Sequence, residues 1–189
     1  ISGNPFAGTY DGNGFTISNL FIDLQAKNEN YVGLFGYADH ADIRNVRMLD
    51  VNVTGQFQVG GLAGEIGSDG AVTSCYATGQ VAGDKDVGGL VGLNQGTITG
   101  CYASATVNGK WGYVGGLAGE NRHQVISSYA TGDVTGNKYV GGLVGSNWGY
   151  ESMPATITES YSTGAVKGRT SEATDLGGLV GKIIYGNVQ

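Results

Sequence analysis

Two patterns of apolar and polar positions alternate along the chain. The first is a short, almost wholly apolar hexapeptide rich in glycine. Its copies are YVGLFG at 31–36, VGGLAG at 59–64, VGGLVG at 87–92, VGGLAG at 114–119, VGGLVG at 140–145 and LGGLVG at 176–181. Their leucines (Leu34, Leu62, Leu90, Leu117, Leu143 and Leu179) are spaced by 28, 28, 27, 26 and 36 residues. A period of that size marks a stacked-repeat architecture. The second pattern lies between the copies: AVTSCYATGQVAGD at 71–84, TITGCYASATVNGK at 97–110, QVISSYATGDVTGN at 124–137 and TITESYSTGAVKGR at 156–169. Valine, isoleucine, threonine and tyrosine dominate these stretches and Gly or Asn-Gly bounds them, which predicts strands. No helical periodicity or capping box preceding an apolar stripe appears. Each repeat predicts two or three short strands separated by glycine turns and is too small to bury its own apolar face.

Stacking covers each repeat with the next, so the predicted fold is all-β: a parallel β-solenoid of about six to seven repeats with buried valine, leucine and isoleucine ladders. Read as a strand, VGGLVG places Val87, Gly89 and Val91 on one side and Gly88, Leu90 and Gly92 on the other. Neither side is polar, so the hexapeptide is expected between two layers, with glycines admitting a close neighbour. Seven coils at ~4.8 Å each give a body ~33 Å long. The chain reads as a single repeat domain over 1–189, with an N-terminal lead-in or capping segment at 1–30 and repeats from 31 to 189.

Composition sharpens this picture. Of 189 residues 36 are glycine, yet 40% are hydrophobic, which is too apolar for a flexible linker. Charged residues make up 14% and the net charge is −6, which argues against nucleic acid as a partner. No apolar run reaches the ~18 residues of a membrane span. The chain begins at Ile1 without a leader-like segment and is expected to be a processed or trimmed piece of something longer. Cys75 and Cys101 occupy the same place in consecutive repeats. Two cysteines are too few for a disulfide framework, and they are expected as stacked free thiols.

The hexapeptides, followed by CYATG at 75–79, SYATG at 128–132 and SYSTG at 160–164, resemble the GLUG-repeat family of bacterial secreted and surface proteins. FAGTYDGNGFTISNLFID at 6–23 is similar to the usual start of such an array, and ADIRNVRMLDVNVTG at 41–55 to a degenerate first repeat in which Met48 replaces the tyrosine. The resemblance implies a secreted or cell-surface location, in adhesin-like chains or in non-catalytic regions of immunoglobulin A peptidases. It implies no catalytic residues.

A direct search for chemistry agrees. Asp84 and Asp86 flank Lys85 in a glycine-bounded connection, without acidic counterparts on neighbouring repeats to complete a glycosidase-like pair. His40 and His123 stand apart from any nucleophile motif. Asp11-Gly12-Asn13-Gly14 lacks the remaining positions of a calcium loop and reads as a turn. Asn52-Val53-Thr54 is a glycosylation sequon, relevant only in a host that uses it. No metal, cofactor or catalytic residue is expected, and the chain is read as a non-enzyme.

Candidate binding residues are aromatic. Tyr76, Tyr102, Tyr129 and Tyr161 share one register and predict a stacked ladder. The last repeat step is longer by two insertions, SNWGYESMPAT at 146–156 and the polar GRTSEATD at 168–175. Insertions in repeat proteins fall in loops and often mark a binding face. The first carries Trp148 and Tyr150, and Trp111 lies in another connection, NGKWGY at 108–113. KIIYGNVQ follows the final hexapeptide with no polar capping unit, so that end is expected either to continue or to be covered by another molecule. The functional expectation is a structural or adhesive module, a rigid stalk or fibre unit. Its expected partners are a host-surface protein or glycan, or copies of itself stacked end to end. Alternatives are a non-catalytic region of a secreted peptidase and a carbohydrate-active β-helix enzyme; ice binding would need a threonine array that TIT at 97–99 and 156–158 alone does not supply.

Overall fold

Hydrogen bonds between successive repeats, residue over equivalent residue, build the fold. A computed structural model describes residues 4–27 and 29–189. Ile1–Gly3 and Asn28, within the 1–30 lead-in segment, lie outside the described residues. Each middle coil holds three strands. Tyr76–Gly88, Val91–Asn94 and Thr97–Thr99 form one coil, and Tyr102–Gly115, Ala118–Asn121 and Gln124–Ile126 the next. All pair in parallel: Tyr76 opposite Tyr102, Val81 opposite Val107, Val87 opposite Val114, Asn94 opposite Asn121, and Ile98 opposite Val125. One ladder carries the coil count. It runs Phe35–Arg44, Ala63–Ile66, Val91–Asn94, Ala118–Asn121, Val144–Trp148 and Val180–Ile184, giving a parallel β-solenoid of six turns.

The core is a set of vertical columns. Val59, Val87, Val114 and Val140 form one, Leu62, Leu90, Leu117 and Leu143 a second, and Ile43, Val72, Ile98, Val125 and Ile157 a third, all at most 1% exposed. The hexapeptide is not one alternating strand through these columns. The strand stops at Gly88 and resumes at Val91, and Val87, Leu90 and Val91 all point into the core. Gly89 and Leu90 form a corner instead, whose N–H groups donate to the carbonyls of Gly116 and Leu117 one coil on, at 3.1 and 3.0 Å.

At this corner the backbones before and after the bend press together, and the glycines follow from that. A Cβ on Gly119 would lie 2.5 Å from both the Asp86 carbonyl carbon and the Val87 nitrogen, closer than real side chains approach. Gly92 and Gly145 meet equivalent backbone one coil earlier. The residue that receives this glycine sits in the left-handed region in each coil: Tyr31, Gln58, Asp86, Tyr113, Tyr139 and Asp175 have φ between 47° and 59°. A second left-handed column, Asn45, Ser74, Gly100, Ser127 and Glu159, turns the chain into the long strand.

Two polar columns run inside the body. Asn94 Nδ2 donates to Asn121 Oδ1 and Asn121 Nδ2 to Asn147 Oδ1, each at 2.7 Å, with all three side chains fully buried. Ile66 and Ile183 occupy the same column at its ends. The second column begins at Val46 and continues through Cys75, Cys101, Ser128 and Ser160. Each side chain accepts the backbone N–H of its counterpart one coil earlier, at 3.4, 3.4, 3.1 and 3.1 Å. Each also donates to the carbonyl two residues before itself. The cysteines are free and buried.

The register corrects the alignment of the first repeat. Arg47, not Met48, stands opposite Tyr76; Met48 stands opposite Ala77 and is fully buried. At the far end Leu176, Ile183, Ile184, Tyr185 and Val188 are exposed, between 36% and 61%.

Candidate binding surfaces

Three outward surfaces collect the residues singled out by sequence. On the first, Tyr76, Tyr102, Tyr129 and Tyr161 stack with ring centroids 4.5, 5.0 and 5.0 Å apart and planes within 14°. Each ring covers the face of its neighbour, so only Tyr161, at the end of the ladder, is largely exposed. The ladder therefore presents ring edges to solvent along most of its length.

The second surface follows the hexapeptide corner and holds Trp111. Here the register slips between Gly83 and Lys85, so that two residues, Lys110 and Trp111, stand opposite one, Asp84. Such a bulge re-aims side chains, and Trp111 projects outward, 48% exposed, with its ring tilted against Phe57 at 5.8 Å. Lysine stems line the neighbouring rings. The Lys85 ammonium lies 4.8 Å from the Tyr113 ring, Lys110 5.4 Å from Trp111, and Lys138 and Lys182 4.7 and 5.1 Å from Tyr139.

Beneath this edge lie acids that sequence reasoning placed in an open connection. Asp84 and Asp86 belong to the strand Tyr76–Gly88 and are 3% and 2% exposed. Asp86 Oδ2 accepts from Gln58 Nε2 at 3.1 Å, while its Oδ1 is buried without a hydrogen-bond partner, as is Asp84 Oδ1. Burial first, and the nearby Glu120 carboxylate second to the opposing pull of Lys85, hold the Asp86 carboxyl up at about 7. Glu120 is itself paired to Arg122 Nε at 2.7 Å. No sequence signal marks these positions, because Asp in a glycine-rich stretch looks like a turn.

The third surface is a cleft of about 370 Å³ where the second strand of a coil turns into the third. Two middle coils make this turn with two residues, Gln95-Gly96 and Arg122-His123. The coils on either side use more: 67–70 before them and the inserted 149–154 after them. The short turns thus form a floor between two raised walls. Trp148 is not in the inserted loop as expected; it ends the strand Val144–Trp148 and lies under the Arg122 guanidinium, 5.1 Å away. Tyr150 and Met153 stand on the insertion, 62% and 57% exposed, joined by reciprocal backbone hydrogen bonds of 3.0 Å. Trp111 lines a separate, smaller hollow with Tyr113 and Tyr139.

At the first coil, Asp11 Oδ1 accepts from the Asn13 backbone at 2.8 Å and from Asn45, and Oδ2 from Arg44, so the Asp-Gly-Asn-Gly stretch is a turn whose carboxylate is already engaged. These bonds lower the Asp11 carboxyl to about 2. Among the described residues no group of three or more His, Cys, Asp or Glu side chains could hold a metal ion.

The fold is a parallel β-solenoid, and the GLUG motif profile matches residues 55–82, 83–108 and 136–167 of it. The chain is 39% identical over 91 residues to halomucin of Haloquadratum walsbyi, covering 48% of this chain and 1% of that protein. It is 30% identical over 84 residues to an immunoglobulin A1 protease of Streptococcus sanguinis, covering 44% of this chain and 4% of that protein. The same fold occurs in the crystal structure of a Bacteroides ovatus protein provisionally described as an immunoglobulin A1 protease. That match has a TM-score of 0.77 and 25% identity, over 89% of this chain and 54% of the other.

Proposed function

We propose that this chain is an extracellular structural and adhesive module, a rigid β-solenoid segment of a secreted or cell-surface protein that attaches to a surface or to its own copies. The observation that carries this reading is the coil-over-coil stacking of side chains and backbone. Bending the body would break the corner bonds Leu62 to Leu90, Leu90 to Leu117, Leu117 to Leu143 and Leu143 to Leu179 together with the ladders beside them. Six coils stack over about 30 Å, a stiff segment of a longer stack. The apolar residues exposed on the last coil supply a face on which a further coil or a second copy would complete the ladders.

A second reading, a non-catalytic region of a secreted peptidase, is favoured by two of the similar proteins being described as immunoglobulin A1 proteases. Both readings give the chain a spacing and presenting role and differ in what it is attached to.

Light scattering on the 189-residue chain, with electron microscopy of native material, tests the proposal. Concentration-dependent growth or ordered filaments would make the chain a self-assembling unit. A compact monomer would make it a spacer. A flexible, expanded particle would overturn the structural reading.

A further inference from the structure

We propose that the cleft between the corner at 67–70 and the inserted loop at 149–154 is a binding site for a neutral oligosaccharide, a site that rests on the adhesive reading above and gives it a ligand class. The cleft exists because turn length departs from the repeat. The solenoid closes this corner with two residues at Gln95-Gly96 and again at Arg122-His123, so packing does not require the six residues at 149–154. Those six are built as a defined wall. Gly149 N–H donates to the Ile184 carbonyl and Ala155 N–H to the Tyr185 carbonyl, fixing both ends to the last coil, and Tyr150 and Met153 bond each other across the loop. The result holds an aromatic ring and a thioether out of the core, beside a polar floor.

That floor offers unused hydrogen-bonding groups of both kinds. Gln95 gives its Nε2 to Glu65 Oε1 at 2.6 Å, which leaves its amide oxygen as an acceptor. Arg122 uses only Nε on Glu120, leaving its two terminal NH₂ groups as donors. His123 lies within 3.5 Å of Thr97 Oγ1 through Nδ1, which leaves Nε2. Asp69 reaches His40 through one carboxylate oxygen, leaving the other. A fan of donors and acceptors beside an exposed ring suits a pyranose, whose apolar face lies against Tyr150 while its hydroxyls meet the floor. From the 67–70 wall to the 149–154 wall is three coil steps, ~14 Å, room for two or three sugar units.

Charge selects the neutral class. The Arg122 guanidinium is held by Glu120, and Asp69, Asp39 and Glu65 lie around the cleft, so an acidic sugar would gain no uncompensated cation here. The lysine-lined edge at Tyr113 and Tyr139 is where an acidic chain would be drawn instead.

The test is calorimetric titration of the 189-residue chain with a panel of neutral di- and trisaccharides (gluco-, manno-, galacto- and N-acetylglucosamine-based) and a matched acidic panel. Tyr150→Ala and Trp111→Ala are run alongside, with circular dichroism to confirm that each folds. The expected result is saturable binding of a neutral sugar that Tyr150→Ala weakens by about tenfold or more and Trp111→Ala leaves unchanged. No binding to any neutral sugar overturns the proposal, and so does binding of acidic sugars or peptides alone, or a Tyr150→Ala protein that binds like the parent. A compact particle in light scattering that binds no neutral sugar would sink the cleft proposal alone. A flexible particle would sink the structural reading whatever it bound.

Discussion

The backbone N–H of Cys75 donates to Cys101 Sγ, 3.4 Å away, and that sulfur in turn donates to the Thr99 carbonyl at 3.3 Å. One coil later Ser128 does the same with a hydroxyl, accepting from Cys101 N–H at 3.1 Å and donating to Ile126 at 2.8 Å. Thiol and hydroxyl are therefore alternative solutions to one requirement, a small side chain that both accepts and donates at this corner.

Cys101→Ser should consequently be mild, within ~1 kcal/mol of the parent. Cys101→Val keeps the shape, as Val46 does at the head of the column, but leaves the buried Cys75 N–H without its acceptor, at a cost of ~1–3 kcal/mol. Urea unfolding of the two variants gives the comparison; equal losses would contradict the hydrogen-bonded column. Burial also pushes the Cys101 thiol well above its ordinary range, so a maleimide should label it only after unfolding.

The asparagine column makes a sharper demand. Asn121 is both acceptor for Asn94 and donor to Asn147, in a fully buried site. Asn121→Ala leaves Asn94 Nδ2 with the Gly96 and Gln124 carbonyls but strands the buried Asn147 Oδ1 acceptor and opens a void, and should cost ~2–4 kcal/mol. Thermal unfolding measures it. A loss below ~1 kcal/mol would mean the column contributes little beyond filling space.

The coil count and the buried columns were legible in sequence because Val87, Leu90 and Ile98 recur in register and only stacking can bury them. The cysteines were legible as equivalent positions, but their equivalence to Ser128 and Ser160 was not, since a hydrogen-bond role does not show in an apolar pattern. The asparagines went unread for the same reason. The corner at Gly89-Leu90 was mistaken for a strand because the left-handed residues that set it up, Asp86 and Tyr113 among them, carry no glycine to announce it. At the surfaces, the tyrosine register and the insertion were visible, whereas the cleft was not: it needs the short turns at Gln95 and Arg122 set between longer ones on neighbouring coils.

Asp86 should give the protein a pH-dependent stability. Its folded carboxyl titrates at about 7 against an ordinary value of 3.8, chiefly through burial. Between those values the folded chain keeps a proton that the unfolded chain releases, so this contribution is full below about pH 4 and is lost as pH rises through about 7. Asp86→Asn keeps the left-handed backbone, which asparagine tolerates, and removes the charge. At about pH 8 the variant should be more stable than the parent by ~1–3 kcal/mol, converging with it in acid. Parallel melting curves across this range would refute the assignment.

The most direct test of coil stacking compares the same motif position in two coils. Gly116 and Gly178 are both the second glycine of their hexapeptides. A Cβ on Gly116 would sit 2.8 Å from the Ala130 Cβ and closer still to the Gly142 carbonyl oxygen of the next coil, whereas a Cβ on Gly178 meets nothing within 4 Å. Thermal unfolding of Gly116→Ala and Gly178→Ala in the 189-residue chain should therefore diverge. The first should lose more than ~3 kcal/mol or fail to fold, and the second should stay within ~1 kcal/mol of the parent. Equal destabilisation of the two would contradict the account, because the glycines would then serve the local turn and not the approach of one coil to the next.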